Sequence, residues 1–166
     1  MNYTTEKVVR TTLIFILAAL VVFAGYVIGS ARADKPLTCW ALCKPGTQVN
    51  VRRTPDKRGQ VVGYLEVGDS FQTDGVSKNG YLRALGIGEF GEAWIYCGYT
   101  VTEKPEAVYE NYSCVAKNRV AVRKWVEGPQ VSWLKNGSEV QVFYIAGDWA
   151  VTSRGYVQHE WLEVAP

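Results

Sequence analysis

The sequence predicts an all-β fold, with two small β-barrels in tandem preceded by one N-terminal hydrophobic helix. Three observations lead to this prediction. Beyond residue 34 the apolar residues come in short runs rich in Val, Tyr, Trp and Ile, separated by Gly, Asn, Asp and Pro, as in strands joined by turns. An ordered series of these runs occurs twice. Residues 13–29, in contrast, form one unbroken apolar run without a charge.

The first 33 residues have the organisation of an export segment. Lys7 and Arg10 precede the apolar run, and Ala31-Arg32-Ala33 follows it. A positive region, an apolar stretch and an Ala-x-Ala site predict a secretory signal peptide at 1–33, cleaved after Ala33. The alternative is a retained membrane anchor, since the run's 17 residues reach the lower limit of a span. Membrane contact would then be confined to residues 11–30.

Both alternatives export the rest of the chain, because Lys7 and Arg10 hold the N-terminus in the cytoplasm. The expected location is the periplasm, the cell surface or the medium. The chain has 18 basic and 16 acidic residues, and 15 of each remain beyond residue 33, because Lys7, Arg10, Arg32 and Glu6 lie in the export segment. A formally neutral exported part argues against a nucleic-acid partner, whose binding depends on clustered Lys and Arg.

Four cysteines lie beyond the export segment: Cys39, Cys43, Cys97 and Cys114. An even number in an exported chain predicts two disulfides, and the sequence leaves their pairing open. A zinc site is the alternative, but Cys39 and Cys43 are four residues apart and His159 is the only histidine. We therefore expect no metal and no cofactor.

The chain after the export segment contains two matching halves. Val49-Asn50-Val51-Arg52 corresponds to Val120-Ala121-Val122-Arg123 at an offset of 71 residues, which also relates Cys43 to Cys114. Alternation places the valines of each motif on one inward face. The predicted organisation is a lead-in at 34–42, a first barrel at 43–101, a polar linker at 102–113 and a second barrel at 114–164.

These motifs resemble the bacterial SH3 domain family, in two tandem copies. The first half carries Val49-Asn50-Val51-Arg52, Val62 with Leu65 and Gly68, Gly80-Tyr81, and Trp94-Ile95 with Tyr99. The second carries Val120-Ala121-Val122-Arg123, Gly128-Pro129, Val131 with Leu134 and Gly137, Trp149, and Gly155-Tyr156-Val157 with Trp161-Leu162. The resemblance covers about three quarters of the chain. It implies two SH3-like β-barrels that bind, commonly to peptidoglycan, rather than catalyse.

The second half is unusually aromatic, and a barrel that small cannot bury every ring. Rings left at the surface offer flat apolar faces with polar tips, which suit sugar and peptide ligands. Core packing is the alternative for each ring. Trp125 and Trp133 are the strongest groove candidates, because they lie in or near loops. The full set of candidate ligand-binding residues is Trp125, Trp133, Trp149, Tyr144, Tyr156, Tyr64, Tyr81 and Trp94.

The sequence gives little support to an enzyme. A catalytic cysteine needs a partner base, and His159 aligns with Cys97 of the other half, so a shared Cys-His site is not expected. Arg52 and Arg123 occupy the same motif position, where they either cap loop carbonyls or contact an acidic peptide. We expect an exported, non-catalytic protein that recognises cell-wall peptidoglycan. The alternative is a membrane-tethered module that binds an exported protein.

Overall fold

The structure, a computed structural model, describes residues 35–87, 91–115 and 119–165. Residues Pro36–Pro166 form one compact unit. The apolar run 13–29 and the predicted cleavage site after Ala33 lie outside the described residues. Within the described ranges, no helix has both the length and the apolar character needed to cross a membrane.

Two antiparallel sheets, each of seven strands, make up the described chain. The first sheet contains β1 (Leu37–Ala41), β2 (Val49–Arg52), β3 (Val61–Leu65), β4 (Ser70–Lys78), β5 (Tyr81–Leu85), β6 (Glu92–Tyr96) and β7 (Thr100–Val101). The second contains β8 (Glu106–Cys114), β9 (Arg119–Arg123), β10 (Gln130–Lys135), β11 (Glu139–Ala146), β12 (Trp149–Thr152), β13 (Tyr156–Gln158) and β14 (Leu162–Val164). A 3₁₀ turn precedes the last strand of each sheet, at Cys97–Tyr99 and at His159–Trp161.

The two sheets have the same topology. The strand order is β3-β2-β6-β5-β4-β1-β7 in the first and β10-β9-β13-β12-β11-β8-β14 in the second. The prediction of an all-β chain is confirmed for the described residues. Closed barrels are not shown, since among these residues the strands at the two ends of each order, β3 and β7 or β10 and β14, are not paired with one another. The predicted N-terminal helix lies outside them. We call β1–β7 the first half and β8–β14 the second half.

Strands also occupy two segments that the sequence pattern left outside the predicted barrels. Strand β1 lies in the predicted lead-in at 34–42, and strand β8 occupies most of the predicted linker at 102–113. Strand β1 pairs with β4, and strand β8 pairs with β11. The sequence pattern did not reveal β8 because most of its side chains are exposed, so polar residues dominate the strand.

The internal alignment also changes at one cysteine. The Gly68 N–H donates to the Ala41 carbonyl at 2.9 Å, and the Gly137 N–H donates to the Cys114 carbonyl at 2.7 Å. Cys114 is therefore the counterpart of Ala41, not of Cys43 as the offset of 71 suggested. An extra stretch between Ala41 and β2 in the first half accounts for the difference.

Each half has its own apolar core. Val49 and Val51 are buried in the first, and Val120 and Val122 in the second, as alternation predicted. A third cluster joins the halves and consists of Leu42, Ala146, Val151 and Tyr156 with partly buried aromatic rings around it. Burying a large apolar side chain contributes roughly 1.5–3 kcal/mol, so this shared cluster holds the halves together.

The four cysteines are free thiols in the structure, and neither of the two predicted disulfides is formed. Cys39 and Cys43 lie in the core of the first half, whereas Cys114 lies in the core of the second. The Cys43 thiol donates a hydrogen bond to the Thr47 carbonyl at 3.2 Å. Cys114 thus belongs to a different core from Cys39 and Cys43.

Candidate functional site

A cleft of about 550 Å³ lies where the two halves meet. This volume is within the range of small-molecule binding sites. The first half supplies most of its lining, from the loop after β1, strand β2 and the end of β6. The second half closes it with Lys124, Trp125 and Tyr156. We call this feature the inter-half cleft.

Five aromatic rings form one connected wall of the cleft. The Trp125 ring meets Tyr96 edge-on, with ring centroids 5.4 Å apart and planes at 88°. The Tyr96 ring also contacts Tyr81 at 5.3 Å and Tyr99 at 5.9 Å. Tyr99 in turn contacts Tyr156 at 6.4 Å. Such ring pairs each add about 0.5–1.5 kcal/mol beyond area burial, so the wall is a firm surface rather than a set of mobile side chains.

Trp125 is held in place by the short turn between β9 and β10. The Gly128 N–H donates to the Trp125 carbonyl at 2.9 Å, and the Val126 N–H donates across the interface to the Gly98 carbonyl at 3.0 Å. The Arg123 guanidinium donates to the Gly128 carbonyl at 2.8 Å. Glu127 has a left-handed backbone, with φ of 56°, which makes the turn tight.

Two glycines make room for the Trp125 ring. A Cβ at Gly98 would lie 2.3 Å from Trp125 Cδ1, and a Cβ at Gly128 would lie 2.4 Å from the same atom. Real Cβ atoms do not come this close to another heavy atom, so only glycine lets the indole lie flat against both turns. The position of Trp125 thus depends on one glycine from each half.

Among the described residues, the charged side chains that line the cleft are all cationic. They are Lys44, Arg52, Lys57 and Lys124, and no carboxylate of the described chain lines it. Lys124 Nζ lies 5.4 Å from the centroid of the Trp125 ring, a cation–π distance. Lys44 and Lys57 form no ion pair within the described residues. These cationic side chains, which we call the lysine rim, therefore present positive charge to the space above the aromatic wall.

Two tyrosines of the aromatic wall and the Cys43 thiol stay neutral over the physiological range. Burial raises the pKa of the Tyr99 and Tyr156 hydroxyls and of the Cys43 thiol. The Tyr156 hydroxyl donates to the Leu42 carbonyl at 3.0 Å, so it is part of the interface between the halves rather than free for a ligand. The cleft therefore combines a neutral aromatic wall with cationic side chains.

Three of the eight candidate ligand-binding residues meet in the cleft: Trp125, Tyr81 and Tyr156. Sequence reasoning missed Tyr96 and Tyr99, which lie at and just after the end of β6. Tyr99 also packs against the core of the first half. Its cleft-facing role arises only because Trp125 of the other half docks on it.

The other five candidates lie elsewhere. Tyr64 is 61% exposed on the edge strand β3, and Trp133 is 39% exposed on the edge strand β10. The Arg119 guanidinium covers one face of Trp133, 4.3 Å from its ring centroid. Trp94 is half-buried on β6. Trp149 and Tyr144 pack against the third cluster, and Trp149 also borders a smaller cavity of about 300 Å³.

Arg52 and Arg123 have the same role in both halves. Arg52 Nη1 donates to the Gly59 carbonyl at 2.8 Å, just as Arg123 Nη1 donates to that of Gly128. Each guanidinium therefore caps the loop that follows its own strand, as the structural alternative predicted. Arg52 also borders the cleft, where it adds charge.

The histidine and the thiols are the side chains from which a nucleophile and its base would come. The His159 ring packs edge-on against Tyr112, with centroids 6.2 Å apart. Burial raises the pKa of the Cys39 and Cys97 thiols, which lowers their nucleophilic fraction. No group of three or more His, Cys, Asp or Glu side chains in the described ranges is arranged to hold a metal ion.

No protein-family model matches this sequence, and no curated protein matches it. Among solved structures, NlpC1 and NlpC2 from Trichomonas vaginalis are similar to the chain, at 15% and 14% identity with TM-scores of 0.31 and 0.30. The matches cover 81% and 80% of this chain but 48% and 49% of those proteins, so the chain spans about half their length. Similarity this distant does not assign the chain to a family.

Proposed function

We propose that this protein is an exported, non-catalytic binding protein that recognises cell-wall peptidoglycan in the inter-half cleft. The proposal keeps the resemblance of both halves to bacterial SH3 domains as its starting point. The observation that carries it is the aromatic wall of five rings described above, which faces a cleft of ligand size. Flat apolar rings with polar edges are suited to sugar rings and peptide backbones.

The cleft is a single composite site rather than one of two equivalent grooves. Its first-half wall is completed by Trp125, which the second half supplies. The counterpart of Tyr99 in the second half is Trp161, since Leu42 and Val115 donate to their carbonyls in the same way. Trp161 is exposed, whereas Tyr99 is covered by rings of the other half. We therefore expect each chain to bind one peptidoglycan ligand, without avidity from two independent sites.

A non-catalytic role fits the chemistry of the available groups. The cleft holds one thiol, Cys43, which is buried, has a raised pKa and is bonded to the Thr47 carbonyl. Activation of a cysteine requires the opposite, a lowered pKa and a neighbouring base. Within the part of the chain that the structure describes, the cleft lining contains neither His nor a carboxylate that could serve as that base.

Protein docking at the sheet edges is a second candidate function. Tyr64 on β3 and Val131 on β10 are among the most exposed large apolar side chains, and both strands are edges of their sheets. An exposed edge strand offers unpaired backbone groups to an extended segment of another protein. This location would suit the membrane-tethered alternative.

Retention of the full-length protein on insoluble peptidoglycan tests the proposal. The informative variants are Trp125→Ala, which removes the cleft wall, and Asn50→Trp, which fills the cleft from an exposed position on β2 and spares the core. Trp133→Ala, on the edge strand outside the cleft, is the matched aromatic control, and Gln141→Trp is the matched insertion control on an exposed position of β11.

We expect saturable retention of the wild type and of both controls, and loss of retention in both cleft variants. Failure of the wild type to bind walls of several chemotypes would contradict the proposal. Retention that disappears with Trp133→Ala but survives Asn50→Trp would move the binding surface to the sheet edge.

A further inference from the structure

We propose that the ligand of the inter-half cleft carries an anionic group, a carboxylate or a phosphate, which binds at the lysine rim while an adjoining apolar part covers the aromatic wall. This inference rests on the proposed use of the cleft as a binding site. It names the chemical class of the ligand, which the aromatic wall alone leaves open.

The charge of the rim is the first argument. Lys44, Lys57 and Lys124 come from three different segments and converge on one opening, together with the already bonded Arg52. The described part of the chain gives Lys44 and Lys57 no carboxylate partner. Three unneutralised cations around a low-dielectric cleft raise the local concentration of anions.

The carboxylates that act on Cys43 are the second observation. Glu66 and Asp69 help to raise the pKa of the Cys43 thiol, but neither lines the cleft. Glu66 accepts a hydrogen bond from Gln48 Nε2 at 3.2 Å, and Asp69 accepts one from the Glu66 backbone N–H at 2.8 Å. Both acids are thus hydrogen-bonded within the first half, outside the cleft lining.

The geometry of the wall is the third argument. Lys124 lies over the Trp125 ring, so charge and aromatic surface are adjacent rather than on opposite sides. A neutral sugar would use the ring but leave the lysines unpaired. A free anion such as chloride would use the lysines but leave the ring uncovered. A ligand with an anion next to carbon surface uses both.

The test is a titration of the full-length, ¹⁵N-labelled protein, followed at the indole N–H resonance of Trp125, which a Trp125→Phe spectrum assigns. The probes are a short acidic peptide with free carboxylates, the same peptide with every carboxylate amidated, and inorganic phosphate. The double variant K44Q/K57Q tests the rim. Its control is Lys135→Gln, which removes the charge of one exposed lysine on β10, outside the cleft.

We expect the acidic peptide to shift the Trp125 resonance saturably, and its amidated twin to leave it unchanged. K44Q/K57Q should lose about tenfold in affinity, because exposed ion pairs contribute up to about 1 kcal/mol each. Added salt should weaken binding by screening. A saturable response to inorganic phosphate that is weaker than the response to the peptide would show that the rim also accepts a phosphate anion, which supports the inference. A response to phosphate that exceeds the response to the peptide would contradict the apolar contact, because inorganic phosphate has no carbon surface.

Equal shifts by the peptide and its amidated twin, or no shift with either anion at millimolar concentration, would overturn the inference. These results are distinguishable from failure of the proposed function. Wall retention that is unaffected by K44Q/K57Q would leave peptidoglycan recognition intact and remove the anionic ligand. Anion binding without retention on peptidoglycan would support the anionic ligand and contradict peptidoglycan recognition.

Discussion

The Tyr156 hydroxyl donates a hydrogen bond to the Leu42 carbonyl at 3.0 Å, across 114 residues of sequence. Both residues are buried, and each belongs to a different half. Burial raises the pKa of Tyr156, so the hydroxyl keeps its proton and remains a donor. The two halves are therefore joined by a specific polar contact inside an apolar cluster, which fixes the geometry of the cleft beside it.

Tyr156→Phe should lower the free energy of unfolding by about 1–2 kcal/mol, because the Leu42 carbonyl loses its buried donor without a replacement. Denaturant unfolding measures this change. Tyr64→Phe, which removes the hydroxyl of a side chain that is 61% exposed, is the control and should cost under about 0.5 kcal/mol. Equal effects of the two variants would show that the contact between the halves contributes nothing specific.

Gly98→Ala should destabilise the protein by about 1–3 kcal/mol and displace Trp125, since the added methyl group would overlap the indole. Near-ultraviolet circular dichroism reports the ring environment and chemical unfolding reports the stability. Gly63→Ala is the matched control, because the nearest atom to its added Cβ is 3.9 Å away. An unchanged aromatic spectrum for Gly98→Ala would mean that Trp125 does not lie against Gly98.

Thiol labelling without a reductant should find one accessible cysteine in the native protein and four after unfolding. Cys97 is half-exposed, whereas Cys39, Cys43 and Cys114 are buried. Burial raises the pKa of the Cys97 thiol, so its labelling rate should be slow at neutral pH and increase into the alkaline range. Cys97→Ser should abolish the native reaction. Fewer than four reactive thiols in the unfolded chain would restore the disulfide prediction.

Tyr144 should ionise at about pH 12, because its hydroxyl is hydrogen-bonded to that of Tyr109, which raises its pKa. A raised native pKa for this acid means that the stabilising contribution is present below about pH 10, the unfolded value, and is lost as the pH rises towards 12. The tyrosinate absorbance of the wild type is recorded against pH, and that of Tyr144→Phe is subtracted from it. The difference isolates the ionisation of Tyr144. In a Tyr109→Phe background the step should move towards pH 10, and an unchanged midpoint would contradict this assignment.

The alternating valines made the fold class predictable, because a period of two can be recognised without tertiary information. The burial of Val51 and Val122 follows that pattern. The strand β8 was not predictable in this way, since its exposed side chains leave no alternation and pairing with β11 stabilises it instead. The sequence indicated Trp125 as a ligand-binding ring, but its partners Tyr96 and Tyr99 depend on how the halves dock, which no local pattern records.

The lysine rim was unpredictable for a related reason. Lys44, Lys57 and Lys124 belong to separate segments of the sequence, and the chain beyond residue 33 has no net formal charge. Only the fold shows that these cations gather at the cleft while Glu66 and Asp69 stay outside its lining. A balanced total charge excludes a strongly basic protein, but it does not exclude a local positive surface.

Hydrogen–deuterium exchange of the full-length protein bound to insoluble peptidoglycan tests the composite cleft most directly. We predict that bound peptidoglycan slows amide exchange in three segments at once: 43–52, 94–101 and 119–128. These segments come from both halves and meet at the cleft. The Asn50→Trp protein, which fills the cleft, should show no such protection. Protection confined to one half, or centred on the exposed edge strands that carry Tyr64 and Trp133, would contradict a single site built by both halves.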